Sequence, residues 1–131
     1  MTNSANYTLE DWEDDIQKAQ DASIDAFALN MAYGDPTNDI ALPIAFEAAS
    51  NIGSFSLFFS FDYAGNGPWP EDTVTSLIQE YSSYPTYYRY ESKPFVSTFE
   101  GPGNAQDWIS IKQQTNCFFI PDWSSLGAKA A

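Results

Sequence analysis

Phe55-Ser-Leu-Phe-Phe-Ser-Phe-Asp62-Tyr63-Ala-Gly-Asn-Gly-Pro-Trp69-Pro70 is the stretch on which the fold turns. Phe55 to Phe61 is apolar apart from Ser56 and Ser60. A short run of that kind, without strict alternation, is expected to be a strand buried on both faces of a parallel sheet. It stops at Asp62, and Gly65, Gly67, Pro68 and Pro70 then rule out regular structure. An acid is thereby carried out of an apolar strand onto a stiff loop, and an amphipathic helix follows.

The same unit recurs outward from this stretch. Thr8 opens a helix with Asp11 as its capping-box partner, and Leu9, Trp12, Ile16 and Ala19 repeat at helical spacing. The run Glu10, Glu13, Asp14 and Asp15 forms that helix's solvated face. Ile24–Met31 is a strand emptying into the turn Ala32-Tyr33-Gly34-Asp35-Pro36. Asn38 or Asp39 caps a second helix, with Pro43 in its first turn and Gly53 as its stop. Val74, Leu77, Ile78 and Tyr81 mark a third helix, and Tyr84, Tyr87, Tyr88 and Tyr90 then pack under a connecting turn. Phe95–Phe99 is a strand delivering Glu100 into Gly101-Pro102-Gly103. Asn104 caps a fourth helix with Asp107 at its third position, and the strand Cys117–Ile120 delivers Asp122 and Trp123. The order is αβαβαβαβ. It predicts an α/β fold with parallel strands and helical crossovers, so Asn30, Asp62, Glu100 and Asp122 converge on the one rim where such folds bind ligands.

Composition narrows the chemistry. The 131 residues suit one domain, 1–131, and carry a formal charge of −13 with no histidine. That balance excludes nucleic acid and anionic membrane as partners, and it excludes every histidine-based catalyst. No apolar run reaches the ~20 residues of a membrane span, and Met1 to Ala5 does not read as a signal peptide. Cys117 is the lone cysteine, expected to be buried and inert beside Phe118 and Phe119. Gly65-Asn66-Gly67 is neither a dinucleotide fingerprint nor a P-loop. Asp62, Glu100 and Asp122 lack the spacing of a metal loop, and no cofactor is expected. Carboxylates among tryptophans and tyrosines suit a neutral sugar polymer, and glycoside hydrolysis needs only two carboxyl groups. The competing reading of each acid is a strand-end residue that caps the next helix.

Five motifs carry a resemblance: Asp25–Asn30, Ala32–Pro36, Phe58–Pro70, Phe95–Asn104 and Phe118–Gly127. From Asn6 onward the chain resembles the fungal α-1,3-glucanases, or mutanases, of glycoside hydrolase family 71. The resemblance implies a (β/α)8 barrel and an endo-acting, inverting hydrolase of cell-wall α-1,3-glucan, in a family that is mostly secreted. It implies that Asp62 is the cleft acid after the third strand. It also places Asn30, Tyr33, Asp35, Tyr63, Trp69, Glu100, Asp122 and Trp123 on the cleft side as substrate-binding candidates. Family members begin with a strand before the Tyr-Thr-Leu-x-Asp-Trp helix and carry their proposed acid/base pair in a later Trp-Asn-Asp-Tyr-Gly-Glu segment; neither occurs in these residues. The expectation is therefore a partial barrel of about four β/α units, from the first helix to the fifth strand, with no complete catalytic set. Two functions follow: a glucanase fragment inactive alone, or a non-catalytic glucan-binding or vestigial product. Open sheet edges are expected to drive self-association. Some of Phe27, Leu29, Phe59, Phe61 and Phe99 are expected among the uncovered residues of the barrel interior.

Overall fold

The structure, a computed structural model, describes residues 8–122. The elements run α1 (Leu9–Asp21), β1 (Ala26–Ala32), α2 (Thr37–Ile52), β2 (Ser56–Asp62), α3 (Glu71–Tyr81), β3 (Arg89–Tyr90), β4 (Lys93–Phe99), α4 (Asp107–Thr115) and β5 (Phe118–Asp122). β1, β2, β4 and β5 are parallel neighbours in chain order, and β3 is a short antiparallel addition to β4. The expected α/β architecture with helical crossovers is thus present.

Local chemistry sets the helix ends. The Asp11 amide donates to Thr8 Oγ1 at 3.2 Å and the Thr8 amide donates back to Asp11 Oδ2 at 3.0 Å, completing the capping box. Gly53 ends α2 at a φ of 79°, and its amide bonds the Ala49 carbonyl. Two expectations are corrected. α2 begins at Thr37, so Pro43 lies in its second turn and not its first. α4 begins at Asp107 without a side-chain cap, because Pro102–Asn104 forms a separate 3-10 turn entered through left-handed Gly101.

Burial along β2 alternates residue by residue: Leu57, Phe59 and Phe61 are buried, while Ser56, Phe58, Ser60 and Asp62 are half-buried. This corrects the expectation of a strand buried equally on both faces. Leu29 and Met31 of β1 and Val96 of β4 join that buried set, with Trp12, Ile16, Phe46, Val74, Ile78, Trp108 and Ile111 from the four helices. A single cluster of this kind means that α1–α4 all cover one sheet face. Strands adjacent in chain order with helices on one side are compatible with part of a barrel; a doubly wound sheet has helices on both sides and a reversal in strand order.

The other face follows from parity. Its lowest layer is aromatic, Phe58 with Phe95 at 4.8 Å and Phe95 with Phe118 at 6.0 Å between ring centroids. The middle layer is Asn30, Ser60, Ser97 and Ile120, and the top layer is Ala32, Asp62, Phe99 and Asp122. Phe27, Leu29, Phe59 and Phe61 belong to the helix side, so of the residues expected inside a barrel only Phe99 faces this way. The register decides, since one residue's shift changes face.

Between β2 and β4 the lower strands splay. The Leu57 amide donates to the Thr86 carbonyl, and the Leu57 carbonyl accepts from the Tyr88 amide, both at 2.8 Å. Tyr87 fills the gap: its hydroxyl accepts from the Phe59 amide at 3.2 Å and donates to the Phe95 carbonyl at 2.8 Å. Its ring stacks on Phe46 at 6.1 Å. Of the tyrosine cluster, Tyr87 therefore packs beneath the connecting segment as expected, whereas Tyr84 and Tyr90 are exposed and do not.

Phe59 is fully buried against Phe46, Phe61, Tyr81 and Tyr87. Phe59→Ala should cost about 3–5 kcal/mol by urea denaturation. Phe58→Ala, one residue away on the other face, should cost about 1–2 kcal/mol. Equal losses would contradict the division of the faces.

Candidate functional site

Ala32, Asp62, Phe99 and Asp122 are cross-strand partners at the carboxyl ends of the parallel strands. The rim expected from the sequence is therefore a single row. Asp62 and Asp122 occupy it two strand spacings apart, about 9.6 Å. Asn30 lies one layer lower, because β1 continues to Ala32. Glu100 follows the row.

Asp62 is fixed by its own loop. Its Oδ1 accepts from the amides of Ala64 at 2.8 Å and Gly65 at 2.9 Å, an Asx turn of the kind Asp favours. A Cβ on Gly65 would stand 3.1 Å from Asp62 Oδ2 and 3.2 Å from Ala32 Cβ, so a bare backbone suits this crowded approach. The indole N–H of Trp69 donates to the carbonyls of Met31 at 3.2 Å and Asp62 at 3.1 Å, tying the ends of β1 and β2 together. Trp69 is 4% exposed, edge-on to Tyr33 and Phe61. Asn66 Nδ2 donates to the Tyr33 carbonyl at 3.0 Å and joins the two rim loops.

The Tyr33–Pro36 loop is held in turn. Asp35 Oδ1 accepts from the Thr37 hydroxyl at 2.7 Å and the Thr37 amide at 2.9 Å. The hydroxyl first, and then the amide, hold the Asp35 carboxyl below its ordinary value of 3.8. Asn38 Nδ2 donates to the Ala32 carbonyl at 3.0 Å. A hollow of about 410 Å³ results, bringing Asn30, Asp35, Asp62 and Asn66 together.

The second half of the rim is built from strained backbone. Glu100 has a φ of 61° and Gly101 a φ of 81°. A Cβ on Gly101 would lie 2.6 Å from Tyr63 Cβ, so glycine is required twice over. The Glu100 amide donates to the Asp122 carbonyl at 2.7 Å, joining this pair through backbone. Tyr63 is 5% exposed, and burial pushes its hydroxyl up to about 12. Cys117 is buried and its thiol raised, as an inert cysteine requires.

Of the residues expected at the site, the structure gathers Asn30, Asp35 and Asp62 in one hollow and links Glu100 to Asp122. Tyr63 and Trp69 lie in the core and support the rim from beneath. Tyr33 is 39% exposed above Trp69. Trp123 lies outside the described residues. Sequence reasoning missed Asn66 and Gly65. The signal was available, since an acid followed three positions later by glycine is an Asx-turn pattern.

The family model for glycosyl hydrolase family 71 matches residues 1–131. The chain belongs to this family. A mutanase of Penicillium rubens is 36% identical over 84% of this chain and 24% of its own length. The glucan endo-1,3-alpha-glucosidase agn1 of Schizosaccharomyces pombe is 32% identical over 98% of this chain and 33% of its own length. An ascus wall endo-1,3-alpha-glucanase of the same yeast is 26% identical over 90% of this chain and 30% of its own length. The family 71 chain thus spans about a quarter to a third of the curated relatives it matches.

Trp69→Phe keeps most of the ring but removes the donor shared by two carbonyls. It should destabilise by about 1–3 kcal/mol in urea denaturation; a neutral result would remove the clamp. For Asp35 the folded value lies below the unfolded one. Its contribution is present above 3.8 and lost as pH falls through the lowered value. Thr37→Val should therefore flatten the acid limb of a stability–pH curve and leave the neutral region's slope unchanged.

Proposed function

We propose that this chain forms part of the wall and rim of a cleft for α-1,3-glucan in a glycoside hydrolase of the endo-acting, inverting type. The observation carrying the reading is the row at the strand ends: acids presented from a singly wound parallel sheet, in a chain whose relatives are named mutanase and endo-1,3-alpha-glucanase. With Oδ1 of Asp62 occupied by two amides, the carboxylate is immobilised and Oδ2 is its remaining acceptor for a sugar hydroxyl. Asn30 and Asn66 add amide groups in the same hollow. A neutral polyol suits these groups, whereas an anionic ligand would meet Asp35 and Asp62.

Inversion requires two carboxyl groups roughly 6.5–9.5 Å apart, one as acid and one activating water. These 131 residues contain no Trp-Asn-Asp-Tyr-Gly-Glu run, so the acid/base pair is assigned outside them. Asp62 and Asp122 are read as substrate-holding groups. The same absence favours a second reading, in which these residues alone bind glucan without cleaving it. β1 and β5 each have one strand neighbour among the described residues, and self-association of the 131-residue chain through these edges is part of the proposal.

Cosedimentation with insoluble α-1,3-glucan, against cellulose as control, tests the cleft. Asp62→Asn should weaken retention roughly tenfold, the loss of a charge-assisted hydrogen bond. Unchanged retention, or equal retention on cellulose, would refute the assignment. In gel filtration the chain should elute larger than a monomer, and a cooperative monomer that releases sugar from the polymer would overturn the non-catalytic reading.

A further inference from the structure

We propose that a second hollow, on the helix side of the Tyr33–Pro36 loop and sharing Gly34, Asp35 and Pro36 with the first, is an additional binding site for one neutral sugar ring. It rests on the glucan reading above and adds a place where the polymer is held beside the cleft. The hollow measures about 410 Å³, within the range of small-molecule sites. The first two turns of α2 and α3 frame it, with Leu42 and Leu77 as apolar walls and Asp39 and Thr73 as polar ones.

Its surface is two-sided in the way a sugar is. Tyr33, more than a third exposed, stands over it and offers its ring to the apolar face of a pyranose, while the buried Trp69 ring holds it edge-on from behind at 5.4 Å and 61°. Asp35 and Asp39 offer carboxylate acceptors to its hydroxyls. Asn38 also lines the hollow and is only 7% exposed. Its Nδ2 is bonded to the Ala32 carbonyl, while its Oδ1 has no hydrogen-bond partner among the described residues. A buried acceptor in that state carries a desolvation cost, which a ligand hydroxyl would offset. The two carboxylates oppose an anion. Among the described residues no group of three or more acids or thiols is placed to hold a metal ion.

The 15N-labelled chain titrated with the α-1,3-linked glucose disaccharide tests this. The amides of Asp39, Leu42, Thr73 and Leu77 should shift as one set, and those of Asn30, Gly65 and Asn66 as another. Leu77→Trp, which fills the hollow, should abolish the first set alone; Asp62→Asn should weaken the second alone. Should Leu77→Trp not fold, Asp39→Lys at an exposed position should weaken the first set about fivefold. Shifts confined to the Asn30–Asn66 set would overturn the second site and leave the cleft standing. Shifts confined to the Asp39–Leu77 set would uphold the second site and overturn the cleft. No shift in either set would overturn both.

Discussion

One indole N–H holds the strand-end rim of this molecule together. Trp69 donates to carbonyls at the ends of two neighbouring strands, that of Met31, next to last on β1, and that of Asp62, last on β2. A carbonyl near the end of a ladder that is left buried and unpaired costs about as much as a lost hydrogen bond. The Tyr33 ring packs against this indole, and the Asn66 amide spans from the Trp69-bearing loop to the Tyr33 carbonyl. Asp62 is thus held at three points: its carbonyl by Trp69, its Oδ1 by two following amides, and its backbone by the sheet. A carboxylate held this way loses little rotamer freedom when it engages a ligand.

The fold was legible where periodicity carries it. Trp12, Ile16 and Ala19, and Val74 and Ile78, declared their helices by spacing and are buried as a stripe demands. The parallel order followed from alternation alone. β2 misled because Phe58 interrupts the serine side: one large apolar residue on the less buried face hides a period of two. β3 left no mark either. Its hairpin turns on Glu91 and Ser92, both at positive φ, 52° and 69°, whereas Asn-Gly is what advertises such a turn. Tertiary pairing with β4 overrides that local preference.

At the site, type was legible but orientation was not. Asp62 and Asp122 were found from strand ends, and the register does set them in one row. By sequence Trp69 is a substrate-binding candidate on the cleft side, yet whether an aromatic just past a strand turns outward or inward depends on the carbonyls it can reach. A sequence does not display those. The strain at Glu100 and Gly101 was equally hidden, because a non-glycine residue at positive φ is sustained only by its surroundings: the Asp122 carbonyl on one side and the Tyr63 ring on the other.

The division of each strand between a helix-covered face and a layered open face constrains how this architecture can vary. Inserting or deleting one residue within β2 would swap Phe59 and Phe61 with Ser60 and Asp62, sending aromatic rings to the rim and a carboxylate into the helix layer. Length changes are therefore confined to the loops beyond Ala32, Asp62 and Phe99, where the backbone leaves the ladder. Changes of substrate recognition can accumulate in those loops by gain or loss of whole residues. Within the strands, recognition can change only by substitution at every second position.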